Sequence, residues 1–154
     1  MLFRSTLVPD APDVIASNAG WDTVKQKQFL TETVAIIKSW GVRVSLFVDP
    51  KEDLVKGAAH VGADRIELYT GPYAHDYAVN PDAAVAPYIK AASAAHESGL
   101  GINAGHDLDL NNLAFLRKSI PWLDEVSIGH ALICDALYLG LENTIQLYRR
   151  CLKE

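Results

Sequence analysis

Four short apolar runs punctuate the chain, and each ends on residues able to do chemistry. They are Val42 to Asp49 (VRVSLFVD), Arg65 to Gly71 (RIELYTG), Leu100 to Asp107 (LGINAGHD) and Glu125 to His130 (EVSIGH). Apolar runs of this length, bounded by turn residues, read as buried strands. The stretches between them have helical character, so the chain reads β-α-β-α-β-α-β-α. That order predicts parallel strands whose following loops gather on one face. In such folds the substrate site lies on that face. Here it would hold Asp49, Glu67, Asn103, His106 and His130.

Between the runs the punctuation is explicit. Leu2 to Pro9 resembles the end of a strand entering a loop, and Asp10 to Gly20 lacks periodicity and reads as loop. Asp22 is placed to cap a helix over Thr23 to Trp40, with an apolar stripe of Val24, Leu30, Val34 and Ile37 and a stop at Gly41. Asp49-Pro50-Lys51-Glu52 predicts a second helix start, followed by Leu54, Val55, Ala58 and Val61 and ended by Gly62. Gly71 to Pro81, rich in Tyr and His, reads as a longer loop before a helix from about Ala83 to Ser98. Asp109 would cap a helix through Lys118, and Val126 to Gly129 would form the last strand. Helices near Ala131 and over Leu141 to Leu152 complete the pattern. No linker interrupts it, so residues 1–154 read as a single α/β domain. Four strand-helix units and the remnant of a fifth strand make more than half of an eightfold barrel.

Composition narrows the function classes. A hydrophobic content of 49% and mean hydropathy of +0.06 argue for a buried core rather than disorder. Net charge of -5, a pI near 5.5 and the lack of a basic run argue against a nucleic-acid partner. An anionic metabolite stays open, because backbone N–H groups can bind phosphate inside an acidic protein. Cys134 and Cys151 show neither CxxC nor metal-ligand spacing and read as buried or half-buried thiols in a reducing compartment. No signal peptide is visible, and no apolar run nears the ~20 residues that span a bilayer. The expectation is a cytoplasmic protein without membrane contact.

The segments STLVPD, GWD, VSLFVDP, IELYTGPYA, INAGHDLDLNNL and SIGHALICDAL together resemble the pyridoxine 5′-phosphate synthase family of vitamin B6 biosynthesis. NAGH-D-L followed about two dozen residues later by IGHA is the specific pair within them. The resemblance covers essentially the whole chain. It implies a partial (β/α)8 TIM barrel, about strands 4 to 8 with their helices, because full members are barrels of typically ~250 residues. The first three strands of the family carry an Asn/Asp-His tip, a His-Leu-Arg-Glu tip and a glutamate general base, none of which is present here. The implied reaction condenses 3-amino-2-oxopropyl phosphate with 1-deoxy-D-xylulose 5-phosphate, giving pyridoxine 5′-phosphate, phosphate and water. It implies no metal and no other cofactor; the partners are these small phosphorylated substrates.

Residue by residue, the resemblance makes His106 the proton donor. An imidazole at a strand tip after Gly105 suits that task, since it titrates near neutrality; the alternative is a histidine capping the next helix. Glu67 becomes the transition-state stabiliser. Strand alternation turns it away from Ile66 and Leu68, and a carboxylate in a barrel centre is costly unless used or paired. A cationic iminium-like species would repay that cost; the alternative is a buried salt bridge. Asp107, Gly129 and His130 match the binding site for the amino-ketone phosphate, where a strand-end glycine before a helix offers N–H donors and a favourable dipole. Ala16 stands where the family has a threonine for the sugar phosphate, which removes one hydrogen bond that Ser17 could replace. Asp49 and Asn103 would support these groups from behind, and His60, His75 and His96 read as surface or loop residues. A rival reading from another class is a non-catalytic phosphate-binding or assembly module. A third is a truncated product that barely folds. Strand edges around Thr6 and Ile128, and a barrel interior filled by Leu46, Ile66 and Ile102 or their alternates, would lie open. A homo-oligomer is therefore expected.

Overall fold

The computed structural model describes residues 3–10, 13–15 and 17–153. Its elements in chain order are β1 (Arg4–Leu7), α1 (Lys27–Ser39), β2 (Arg43–Val48), α2 (Glu52–His60), β3 (Arg65–Leu68), α3 (Gly71–Tyr77) and α4 (Pro81–Glu97). They continue with β4 (Gly101–Ala104), α5 (Leu113–Ser119), β5 (Leu123–Val126), α6 (His130–Leu139) and α7 (Leu141–Cys151). The strands form one sheet in the order β1-β2-β3-β4-β5, every neighbouring pair parallel. This is the α/β architecture of a partial TIM barrel, and the sheet is not closed.

Register explains the two faces. Leu46 pairs with Ile66, and Ile66 with Ile102. All three are buried, in one cluster with Leu30 and Val34 of α1, Val55 and Ala58 of α2, and Tyr88 and Ala91 of α4. These side chains therefore face the helices, and their alternates face the barrel interior. Phe47, Glu67, Asn103 and Glu125 form the matching interior row.

The sheet is strongly curled. Laid flat, β1 and β5 would lie about 19 Å apart, four spacings of ~4.8 Å. Yet Arg4 of β1 donates to Glu125 of β5 at 3.0 Å, and Arg43 of β2 grips the same carboxylate through both terminal nitrogens at 3.0 Å. Between these strands lies a cleft of about 340 Å³ lined in part by Arg4, Thr6, Ser45 and Glu125. Ser45 Oγ, buried there, is the one buried side-chain polar atom without a hydrogen-bond partner among the described residues.

Several expected boundaries shift for local reasons. Thr23 is buried and donates its hydroxyl to the Leu54 carbonyl at 2.7 Å. The chain there docks on α2 in turns, and the regular helix begins only at Lys27. Asp22 still accepts from the Lys25 amide, but Val24 is exposed and leaves the stripe to Leu30, Val34 and Ile37. Asp49 does not cap α2; its carboxylate accepts from the Gly20 amide at 3.1 Å and from Lys51 Nζ. Gly62 ends that helix with φ +85°, a conformation that favours glycine.

The stretch read as a loop after β3 is the helix α3, because Pro72 suits a first turn and Tyr73 buries its ring completely. Asp109 accepts from the amides of Asn111 and Asn112, so its turn precedes α5 rather than starting it. The last strand lies at Leu123–Val126, ahead of its expected place. Leu123 is the buried apolar anchor, and the Asp124 carboxylate takes the Ile102 amide where the register slips. Cys134, expected to be buried or half-buried, is exposed on α6, whereas Cys151 is half-buried. Among the described residues no helix is long and apolar enough to cross a membrane.

Candidate active site

Glu67 sits mid-sheet on the interior face, with 8% of its surface exposed, and accepts a hydrogen bond from Thr6 Oγ1 at 3.1 Å. Burial raises its carboxyl above the ordinary carboxylate range, while the Thr6 bond and the nearby His106 pull it partly back. Burial disfavours the charged form, and a hydrogen bond to that form favours it. Among the described residues no cation pairs with Glu67, in contrast to the buried salt bridge of the rival expectation; the interior arginines go elsewhere, Arg43 to Glu125 and Arg65 to Asn103.

At the carboxyl ends of β2, β3 and β4 stands a small aromatic cluster. The rings of Phe47, Tyr69 and His106 have centroids 5.6, 6.0 and 6.2 Å apart, close to an equilateral triangle. His106 Nε2 lies 3.6 Å from a carboxylate oxygen of Asp107, and that oxygen accepts from Thr70 Oγ1 at 3.3 Å. His106, Asp107 and His130 line one pocket with Asn18 and Tyr69. Gly129 takes the cap position of α6, where no side chain caps the helix. Among the described residues no side chain caps these first-turn amides, which suits this helix end to an anion.

The structure thus brings His106, Asp107 and His130 together, with Glu67 near His106 and Gly129 at the mouth. His130 and Gly129 are exposed, unlike the half-buried His106 and Asp107. Asp49 and Asn103 do not line this pocket. Asp49 fastens the loop before α1, and Asn103 accepts from Arg65 at 3.1 Å. Ala16 lies outside the described residues. His60, His75 and His96 are exposed. Thr6, Phe47, Tyr69 and Thr70 were not foreseen. The signal for Tyr69 was available: it lies two residues beyond Glu67 and so shares its face. The contact of Thr6 needed the register between strands far apart in sequence.

An open parallel (β/α) sheet with a buried acid and an imidazole gathered toward its strand ends is the α/β architecture of a partial TIM barrel. The chain belongs to the family of the pyridoxal phosphate biosynthesis protein PdxJ, whose family model matches residues 3–154. Similar curated proteins bear the name pyridoxine 5′-phosphate synthase. That of Cytophaga hutchinsonii is 65% identical over 149 residues, covering 97% of this chain and 63% of the relative. Those of Bacteroides fragilis (strain YCH46) and Porphyromonas gingivalis are 59% and 58% identical, covering 96% and 94% of this chain and 62% and 60% of their own lengths. The chain therefore spans less than two thirds of these relatives and corresponds to a C-terminal portion of the full enzyme.

Proposed function

We propose that this chain carries the acid and phosphate-binding half of a pyridoxine 5′-phosphate synthase site. The reaction condenses 3-amino-2-oxopropyl phosphate with 1-deoxy-D-xylulose 5-phosphate and releases phosphate and water. The observation that carries the reading is the buried, partner-poor Glu67 near His106, at the strand tips of a chain whose residues 3–154 match the family. His106 delivers a proton to a departing hydroxyl or phosphate. Glu67 stabilises the cationic iminium-like species formed as amine and ketone condense, and that charge offsets the cost of its burial. The first-turn amides of α6, with Asp107, Gly129 and His130, hold the phosphate of the amino ketone. A cytoplasmic setting belongs to the same reading, since membranes retain phosphorylated intermediates.

The reading places the general base and further cationic groups on strands that residues 1–154 do not include, so the 154-residue polypeptide by itself is expected to need them supplied. The test is a coupled assay of the purified chain with and without a polypeptide carrying the N-terminal third of a relative. Negligible turnover alone and restored turnover on addition are expected. A general base is typically worth roughly 10²–10⁴-fold, so strong activity of the chain alone refutes the reading. Phosphate binding without restored turnover favours the non-catalytic module, for which the open, uncovered interior face is the supporting observation.

A further inference from the structure

We infer that Tyr69 is the positioning residue for His106, and that it is itself held at its backbone by Tyr88 and at its ring by a notch at Gly71. The inference rests on the reading of His106 as the proton donor. His106 follows the last residue of β4 by two positions, and among the described residues no carboxylate or carbonyl hydrogen-bonds its ring; its Asp107 neighbour is 3.6 Å away. The packing of the imidazole comes from Phe47 and Tyr69, inclined to it by 30° and 24°. Phe47 is fully buried and fixed by the sheet, whereas Tyr69 is half-buried at the pocket wall. Tyr69 is therefore the wall that sets where His106 can point.

Tyr69 has three restraints of its own. Its amide donates to the Val48 carbonyl at 2.9 Å, which prolongs the β2–β3 pairing one residue past the strand. Its carbonyl accepts from the Tyr88 hydroxyl at 2.8 Å, and that hydroxyl also accepts the Tyr73 amide at 3.2 Å. Tyr88 is buried in α4, so the backbone of residue 69 is tied to the core of the helical layer. The third restraint is the missing side chain at 71. A Cβ there would overlap the Tyr69 hydroxyl and Cζ, so only glycine lets the phenol lie across the start of α3. These contacts form one column, from Tyr88 through Tyr69 to His106, that joins the packed core to the proton donor. Holding a reacting group in place is a large part of catalysis, and misplacing it by about 1 Å can cost on the order of 10²-fold.

The test treats the purified chain and its Tyr69→Leu, Tyr69→Phe and Gly71→Ala variants with diethyl pyrocarbonate, and follows each histidine by peptide mass mapping. His75, exposed on α3 and outside the cluster, is the internal control. Modification of His106 is expected to rise several-fold in Tyr69→Leu and in Gly71→Ala, with Tyr69→Phe at the parent rate and His75 unchanged throughout. With the N-terminal segment supplied, Tyr69→Leu should lower kcat and leave both KM values in place, and Tyr69→Phe should restore kcat. An unchanged His106 rate in Tyr69→Leu and Gly71→Ala overturns the inference. So does a Phe variant that behaves like Leu, or a rise in KM at constant kcat, which would make Tyr69 a substrate contact. Gly71→Ala keeps the question open to experiment if Tyr69→Leu does not fold. The modification arm needs no synthase activity, so its outcome is separate from that of the functional proposal.

Discussion

The middle of the sheet and its two rims follow the same amphipathic grammar and end in opposite states. In the middle, Ile66, Leu68 and Ile102 are fully buried beneath α2 and α4, and Ala91, Ala92, Ala94 and Ala95 let α4 come close to the strands. At the rims further large apolar side chains are exposed: Phe29, Ile36 and Trp40 on and just after α1, and Ile133, Leu137 and Tyr138 on α6, a helix with no buried residue. The difference sets a finished core beside exposed apolar side chains, the kind of surface through which chains associate. It also divides the site. Glu67 and His106 stand over the finished middle, while Gly129 and His130 belong to the unfinished rim.

The sharpest break of this contrast is a pair of truncations. Ile102→Ala is expected to cost about 2–5 kcal/mol in urea unfolding, the range for deleting a buried aliphatic side chain. At dilutions where the chain is monomeric, Leu137→Ala on the exposed rim should stay within about 0.5 kcal/mol. Equal losses would mean that α6 is covered in solution by something the isolated fold does not show.

The same contrast explains what could be read from the sequence. Strand existence and order were legible, because Val44, Leu46 and Val48 alternate with Arg43, Ser45 and Phe47 on a buried run. Site positions at the strand tips were legible for the same reason. What failed was local chemistry under tertiary control. Asp49 has every mark of a helix cap, but the Gly20 amide arrives from a distant loop and takes its carboxylate. Gly71 to Tyr77 carries loop-forming residues, yet the burial of Tyr73 makes it a helix. The aromatic triangle around His106 was invisible because all three of its contacts join different strand units, and ring orientation is set by packing rather than pattern.

A second test bears on the rims as interfaces. Sedimentation of the purified chain should show dimers or larger species, and Leu137→Glu combined with Trp40→Glu should weaken that association at least about tenfold, or roughly 1.4 kcal/mol. A parent chain that is already a cooperative monomer removes the idea.

A smaller effect concerns the clasp that joins β1 and β2 to β5 across the interior. The bidentate Arg43 bond leads the causes that hold the Glu125 carboxyl below its ordinary value of 4.5; burial opposes it, and the charges of Arg43, Arg65 and Arg4 add to it. A carboxylate with a depressed folded pKa contributes stability above its unfolded pKa and loses it as pH falls through the folded value. Glu125→Gln should therefore be less stable than the parent at neutral pH, and the gap should close as pH is lowered from about 4.5. A gap that persists to about pH 2 would assign the loss to packing rather than charge.

The smallest expected change has the opposite sign and falls on the finished middle. Burial raises the Glu67 carboxyl above 4.5, ahead of the opposing effects of Thr6 and His106. For such an acid the folded state binds the proton more tightly than the unfolded chain does. Stability is therefore full below the unfolded pKa, falls as pH rises through the folded value, and stays reduced above it. Gln at 67 keeps an oxygen for the Thr6 hydroxyl and carries no charge to bury. Glu67→Gln should accordingly be more stable than the parent at neutral pH, with the advantage vanishing below about 4.5, while turnover of the completed enzyme falls. Active sites hold groups that are costly for folding, so a gain in stability with a loss of function is the signature sought. Urea midpoints of the two chains across this pH range decide it. A Gln variant weaker than the parent at neutral pH would show that the Thr6 bond and the attraction of His106 outweigh burial, and that Glu67 is held as a structural anion rather than kept in reserve for a passing cation.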